Sequence, residues 1–280
     1  MTSIRIPLPP YISGQIRCDR SQLLGVHAIE PGHFAPVADM PSSLFGKYQS
    51  RNPALVPLVD IDGKRIAIVR IDGILTKWGF LGDARGSMLR HAEVIAGLGR
   101  NDDVDAIILV IDSPGGTVAG TADLANVIHA VRQIKPVVAY VEDLAASAAY
   151  WIASQCTAVY VNNETALVGS IGVFVVMLDM SKLFTTKGVE TIVIRSGPQK
   201  GVGVPGDKIT DEQRAMVQLR VEGTAGLFIK SVAQGRKLDR RHVVFYADGS
   251  VFGPTMATEA KLIDGTTDFN SLLAAIAREL

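Results

Sequence analysis

The chain has 280 residues, 48% of them hydrophobic and 20% charged, enough apolar material for one sizeable core and far from the composition of a disordered chain. Lys plus Arg and Asp plus Glu both number 28, so the formal charge is zero and no nucleic-acid partner is expected. Two cysteines without C-x-x-C spacing, Cys18 and Cys156, exclude a zinc ribbon and a disulfide framework, and Cys156 reads as a small buried hydrophobe.

Residues 1–60 are rich in Pro, Gly and Ser with little periodicity. They read as an N-terminal arm or extension that packs on a neighbour or wraps a domain spanning 61–280. The opening stretch MTSIRIPLPPYISGQIRCDR lacks the continuous apolar core of a signal peptide, and no apolar run approaches the ~18 residues needed to span a bilayer. A soluble, cytoplasmic chain without a transmembrane segment is the expectation.

From Arg65 the pattern changes. RIAIVRIDGIL (65–75) is strand-like, residues 85–98 have helical spacing, and AIILVID (106–112) is the continuous apolar run of a strand buried on both faces. TVAGTADLANVIHAVRQI (117–134) predicts a helix, VVAYVE a strand, the alanine-rich stretch after it a helix, and TAVYVN (157–162) a strand. Such alternation implies right-handed βαβ units and an α/β fold with a parallel sheet. A short helix near 181–186, a strand ETIVIRS (190–196), a glycine-rich loop GPQKGVGVPG and a long helix to about residue 234 follow, the last opening on a capping box at Thr210. His242 is expected to precede a strand, and the tail to residue 264 reads as short β segments and a helix.

Two strand-to-helix junctions have unusual sequences, and the carboxyl edge of such a sheet is where sites form. At Asp112-Ser113-Pro114-Gly115-Gly116, paired glycines let the backbone turn with N–H groups uncovered, suited to holding an oxyanion. At the second, VVAYVEDLAASAAYWIAS, Ser147 stands where a strand gives way to a helix. An N-cap serine would do so for structural reasons alone. As a nucleophile it would need a base.

None of the five histidines, His27, His33, His91, His129 and His242, sits in a Gly- or Ser-rich junction. A neutral lysine can serve once its pKa falls well below the ordinary ~10.4 through burial. Lys200, in a glycine-lined loop, is in a more suitable setting than Lys187 or Lys208. Gly201, Gly203 and Gly206 also match G-x-G-x-x-G, but Pro205 lies inside the motif and no acidic strand end follows about twenty residues on.

IDSPGGTV, VEDLAASAAYWIAS, TALVGSIGVF and VIRSGPQKG, in this order, resemble the signal peptide peptidase A (protease IV) family of serine peptidases, phage prohead proteases included. The resemblance covers about residues 65–265. It implies a Clp-protease/crotonase-like fold and a Ser-Lys dyad with Ser147 as nucleophile and Lys200 as general base. It further implies Ser170 as the lysine-orienting residue and an oxyanion hole at Gly116, in which Gly115 and the N–H of Ala148, next to the nucleophile, are expected to share. Where the family often has two glycines after the nucleophile, this chain has Ala148 and Ala149.

The expected activity is endopeptidase cleavage of signal-peptide-like, hydrophobic or phage-head protein substrates, with no metal or organic cofactor. Homo-oligomers are implied, in some members with serine and lysine on different subunits. Tyr150, Trp151 and Val173 fit either core packing or a substrate pocket. Two other readings stay open: a crotonase-like acyl-CoA enzyme using Glu142 or Asp143, and a catalytically silent oligomeric assembly protein.

Overall fold

The computed structural model describes residues 27–29 (as backbone), 56–79 and 84–280. Most of the predicted arm, with Cys18 and His33, lies outside the described residues. The arm contributes β1 (His27–Ile29). β2 (Leu58–Ile61) and β3 (Lys64–Asp72) form an antiparallel hairpin whose turn residues, Asp62 and Gly63, have φ of 53° and 80°. Positive φ at both positions defines the turn that matches strand twist, and Asp-Gly favours it.

The predicted βαβ alternation is realised. After β3 come α1 (Met88–Arg100), β4 (Ala106–Ser113), β5 (Gly115–Thr117), α2 (Thr121–Val131), β6 (Val137–Ala146), α3 (Ala148–Ala153), β7 (Ala158–Val161) and β8 (Leu167–Gly169). The main sheet runs β10-β7-β6-β4-β3-β2, where β10 is Gly265–Thr266, and its pairs from β10 to β3 are parallel. β8 adds parallel to the end of β6 and pairs antiparallel with β9 (Val251–Phe252).

β4 is buried along nearly its whole length because both sheet faces are covered. On one face Ala67, Ile107, Leu109, Ile111 and Ala139 meet Met88 and Ile95 of α1 and Leu124 and Ile128 of α2. On the other, Ile66, Ile108, Val110 and Tyr140 meet Leu272, Leu273 and Ile276 of the C-terminal helix Phe269–Glu279. Each such aliphatic side chain contributes about 1.5–3 kcal/mol by leaving water.

Between β8 and the long helix, residues 171–210 carry α4 (Ser181–Thr186) and little other regular structure. The long helix α5 (Asp211–Arg236) opens on the predicted capping box: Gln213 N–H donates to Thr210 Oγ1 at 3.2 Å, and Thr210 N–H donates to Gln213 Oε1 at 3.1 Å. Apart from Gln213, only its C-terminal part is buried, at Phe228, Val232, Ala233 and Gly235. Across residues 172–227 only Ile209 and Gln213 are buried, so this segment projects from the core. α6 (Arg240–Phe245) and α7 (Pro254–Glu259) precede the C-terminal helix, α8.

Two expectations are corrected. Residues 190–195 alternate half-buried and exposed side chains as a strand would, yet form no ladder among the described residues, and Ile192 and Ile194 are 77% and 97% exposed. His242 lies inside α6, because Asp239 caps that helix by accepting from Arg241 N–H. Cys156 is buried, and burial pushes its thiol up to about 12. Among the described residues no helix is long and apolar enough to cross a membrane.

Candidate active site

Ser147 sits between β6 and α3 with φ 54° and ψ −120°, a conformation that a residue with a Cβ adopts only when its surroundings impose it. Three features impose it here. The Ser147 N–H donates to the Gly169 carbonyl at 2.8 Å, its carbonyl accepts from Trp151 N–H at 2.9 Å, and α3 is buried along its whole length. The Ser147 Oγ is buried without a hydrogen-bond partner among the described residues. The simple N-cap role therefore fails, since no side-chain cap bond forms.

α3 is anchored by the aromatics that the sequence left between core and pocket. Tyr150 Oη donates to the Leu262 carbonyl at 2.8 Å, and Trp151 stacks on Phe228 with centroids 4.5 Å apart. Both are core residues. Burial raises the Tyr150 phenol well above its ordinary range. Val173 is half-buried.

Ser170 lies beside Ser147 because β8 pairs with β6 in register, Ala146 opposite Gly169. It is 4% exposed, has φ 50°, and donates its N–H to the Ser250 carbonyl at 2.7 Å.

β5 packs against α3, so the diglycine strand borders the helix that Ser147 opens. The two glycines are not equivalent. Gly115 N–H donates to Ser113 Oγ at 3.1 Å, while that hydroxyl donates to the Gly73 carbonyl at 2.6 Å. Gly115 is therefore engaged, and Gly116 is the glycine with its N–H aimed elsewhere. A Cβ on Gly116 would lie 1.6 Å from the Leu75 carbonyl oxygen, so only glycine allows this approach. Sequence reasoning missed the positioning roles of Ser113 and Leu75; the serine inside D-S-P-G-G was the one available signal.

Lys200 is exposed, on a turn where its N–H donates to the Gly197 carbonyl at 3.0 Å. The loop is held in shape by an Arg195–Asp207 ion pair and by Gln213 Nε2 donating to the Pro198 carbonyl at 2.8 Å. Within one chain Lys200 makes no hydrogen bond to Ser147, whose Oγ is unpartnered among the described residues.

Where β3 and β4 end, beside the middle of β6, lies an acidic group with one arginine. Arg70 donates to both carboxylate oxygens of Glu142, at 3.1 and 2.5 Å, and also to Asp72. Partial withdrawal from water, and then the carboxylates of Asp143, Asp72 and Glu142, raise the Asp112 carboxyl above its ordinary range.

Comparison with known proteins gives the family of the chain. Peptidase family S49 matches over residues 129–280, a span that includes Ser147, Ser170 and Lys200. A putative protease of Synechocystis sp. is 32% identical over 201 residues, covering 72% of this chain and 69% of the relative. A putative protease of Methanocaldococcus jannaschii is 31% identical over 174 residues, and the capsid assembly protease C of Escherichia phage lambda 36% over 161. These alignments take in 62% and 58% of this chain but only 56% and 36% of the relatives' lengths. Among solved structures, a complex of the membrane-bound stomatin-specific protease 1510-N with a substrate peptide superposes with a TM-score of 0.47 at 17% identity, over 76% of this chain and 80% of that one. On a family match over more than half of its length and the Synechocystis relative, the chain belongs to peptidase family S49.

Proposed function

We propose that the protein is a serine endopeptidase working through a Ser147–Lys200 dyad. The observation that carries the reading is Ser147 itself: a strained, buried residue whose hydroxyl makes no structural bond, set beside the Gly116 strand. Strain of about 1–3 kcal/mol at a residue whose hydroxyl gains nothing structurally is what a functional constraint leaves behind.

In this reading neutral Lys200 takes the Ser147 proton as Oγ attacks a peptide carbonyl. The Gly116 and Ala148 N–H groups hold the oxyanion, and the lysine ammonium gives its proton to the departing amine. Water then attacks the ester, with lysine again as base, and frees the serine. Ser170 orients the lysine.

A neutral lysine needs cover from water. Lys200 lacks that cover in one chain, and the same projection exposes Val176, Leu178, Ile192 and Ile194, by 49%, 70%, 77% and 97%. This supports a homo-oligomer in which a neighbouring copy covers the projection and the dyad is completed between subunits. Substrates of the classes expected from sequence, signal-peptide-like, hydrophobic or phage-head proteins, fit a site that binds an extended strand through its main chain.

The acyl-CoA reading needs a free carboxylate as acid or base; Glu142 is engaged by Arg70, which leaves the exposed Asp143 as the group it would have to use. Hydrolysis of fluorogenic peptides by wild type, Ser147→Ala and Lys200→Ala across pH 6 to 10 tests the proposal. Loss of activity in both variants is expected; full activity in Ser147→Ala contradicts it. A stable oligomer that cuts nothing favours the silent assembly reading.

A further inference from the structure

β1 pairs antiparallel with β5, placing His27 opposite Thr117, Ala28 opposite Gly116 and Ile29 opposite Gly115. The other edge of β5 is bonded to Leu75, whose N–H donates to the Gly115 carbonyl and whose carbonyl accepts from Thr117 N–H, each at 2.8 Å. No peptide bond among the described residues is cis. Across a trans peptide the N–H and C=O point opposite ways.

The Gly116 N–H shares a peptide plane with the Gly115 carbonyl, so it points away from Leu75. The Gly116 carbonyl, sharing a plane with the Thr117 N–H, does the same. Both groups face β1. In an antiparallel ladder the residue opposite such a position exchanges both bonds with it, so the Ala28 carbonyl accepts from Gly116 N–H.

We infer that β1 occupies the substrate-strand position of its own chain, with the Ala28 carbonyl standing where the scissile carbonyl of an incoming peptide would stand. The inference rests on the reading of Gly116 as an oxyanion donor. It makes the segment around Ala28 a built-in competitor for the β5 edge. A three-residue pairing is weak enough to be displaced, since short two-stranded ladders are marginal in water. Ser147 is only 1% exposed, so an outside carbonyl reaches Oγ after a rearrangement, and release of β1 is one that opens the Gly116 edge.

The test uses the full chain in a Ser147→Ala background, where no hydrolysis intervenes, and a labelled synthetic peptide with the sequence of residues 22–34. Ala28→Pro removes the N–H that donates to the Gly116 carbonyl. The peptide should bind the Ala28→Pro chain about tenfold more tightly than the chain with Ala28 intact, because a site open about a tenth of the time loses tenfold in apparent affinity. The same peptide carrying Ala28→Pro should bind neither chain. With Ser147 restored, Ala28→Pro should raise kcat/KM on unrelated peptides by a similar factor.

Equal binding by the two folded chains overturns the inference, even if the wild type proves an active peptidase. Tighter binding with no hydrolysis by any variant removes the peptidase reading and, with it, the assignment of the Ala28 carbonyl to the scissile position, leaving β1 a displaceable edge strand only. Should Ala28→Pro fail to fold, the combined change His27→Gly, Ala28→Gly, Ile29→Gly weakens the strand by another route and is read in the same way.

Discussion

The backbone N–H of Ser147 donates to the carbonyl of Gly169, 2.8 Å away, so the residue that opens α3 is hung from the end of β8. That bond, with the buried helix behind it, holds Ser147 at φ 54° and ψ −120°. Ser147→Gly should relax this strain and remove a buried, unbonded hydroxyl. Against the extra unfolded-chain entropy of glycine, a net gain of about 1 kcal/mol is expected. Urea unfolding measures it, and a loss of stability would contradict the strain argument.

Gly116→Ala places a Cβ 1.6 Å from the Leu75 carbonyl oxygen, so β5 must shift away from Leu75 and carry the Gly116 N–H out of its place. Loss of one oxyanion donor costs about 10²–10³ in kcat. A fall of that size in kcat, in a chain that still shows a cooperative thermal transition, is the expected outcome; an unchanged kcat would remove Gly116 from the oxyanion site.

If the dyad is shared between copies, mixing inactive Ser147→Ala with inactive Lys200→Ala should restore activity, because some sites regain both groups. Wild-type activity should also fall on dilution faster than in proportion to concentration. Complementation absent from a mixture shown to have exchanged subunits would place both groups in one chain.

The raised Asp112 carboxyl carries a pH signature. The folded state binds this proton more tightly than the unfolded chain does, so the group's contribution is favourable at low pH and is lost as pH rises from the unfolded value through the folded one. At neutral pH it destabilises. Asp112→Asn should therefore raise the Tm at pH 7 and lose that advantage as the pH is lowered below the ordinary carboxylate range.

Arg132 Nη1 donates to the carbonyls of Gln155, Cys156 and Gly235 at 3.0–3.1 Å, tying the ends of α3 and α5 together. Arg132→Ala should destabilise by about 2–3 kcal/mol, as expected when a charged donor leaves inward-facing carbonyls unpaired. A change within 0.5 kcal/mol, roughly the range for an ordinary surface substitution, would contradict this.

The sheet was legible because its strands are apolar runs of the right length: AIILVID became β4, and VVAYVE the start of β6. The capping box fixed the start of α5 from four letters, Thr210 to Gln213. ETIVIRS misled because alternation reports which side chains want burial, not whether a neighbouring strand exists in the same chain. α8 lies beyond the last element read from sequence. At the site, the two junctions could be read, but the positive φ of Ser147 and the pairing of Ala28 with Gly116 arise from contacts between distant segments, and the local capture of Gly115 by Ser113 depends on the distant Gly73 carbonyl that accepts from the same hydroxyl.

The central claim is that Ser147 is the nucleophile, and covalent labelling tests it without knowledge of the natural substrate. Wild type treated with a fluorophosphonate, and examined by intact-protein and peptide mass spectrometry, should gain a single adduct on Ser147, with none in Ser147→Ala and a strongly slowed reaction in Lys200→Ala. An adduct on another serine, or an unlabelled Ser147 in a folded oligomer, would contradict the account.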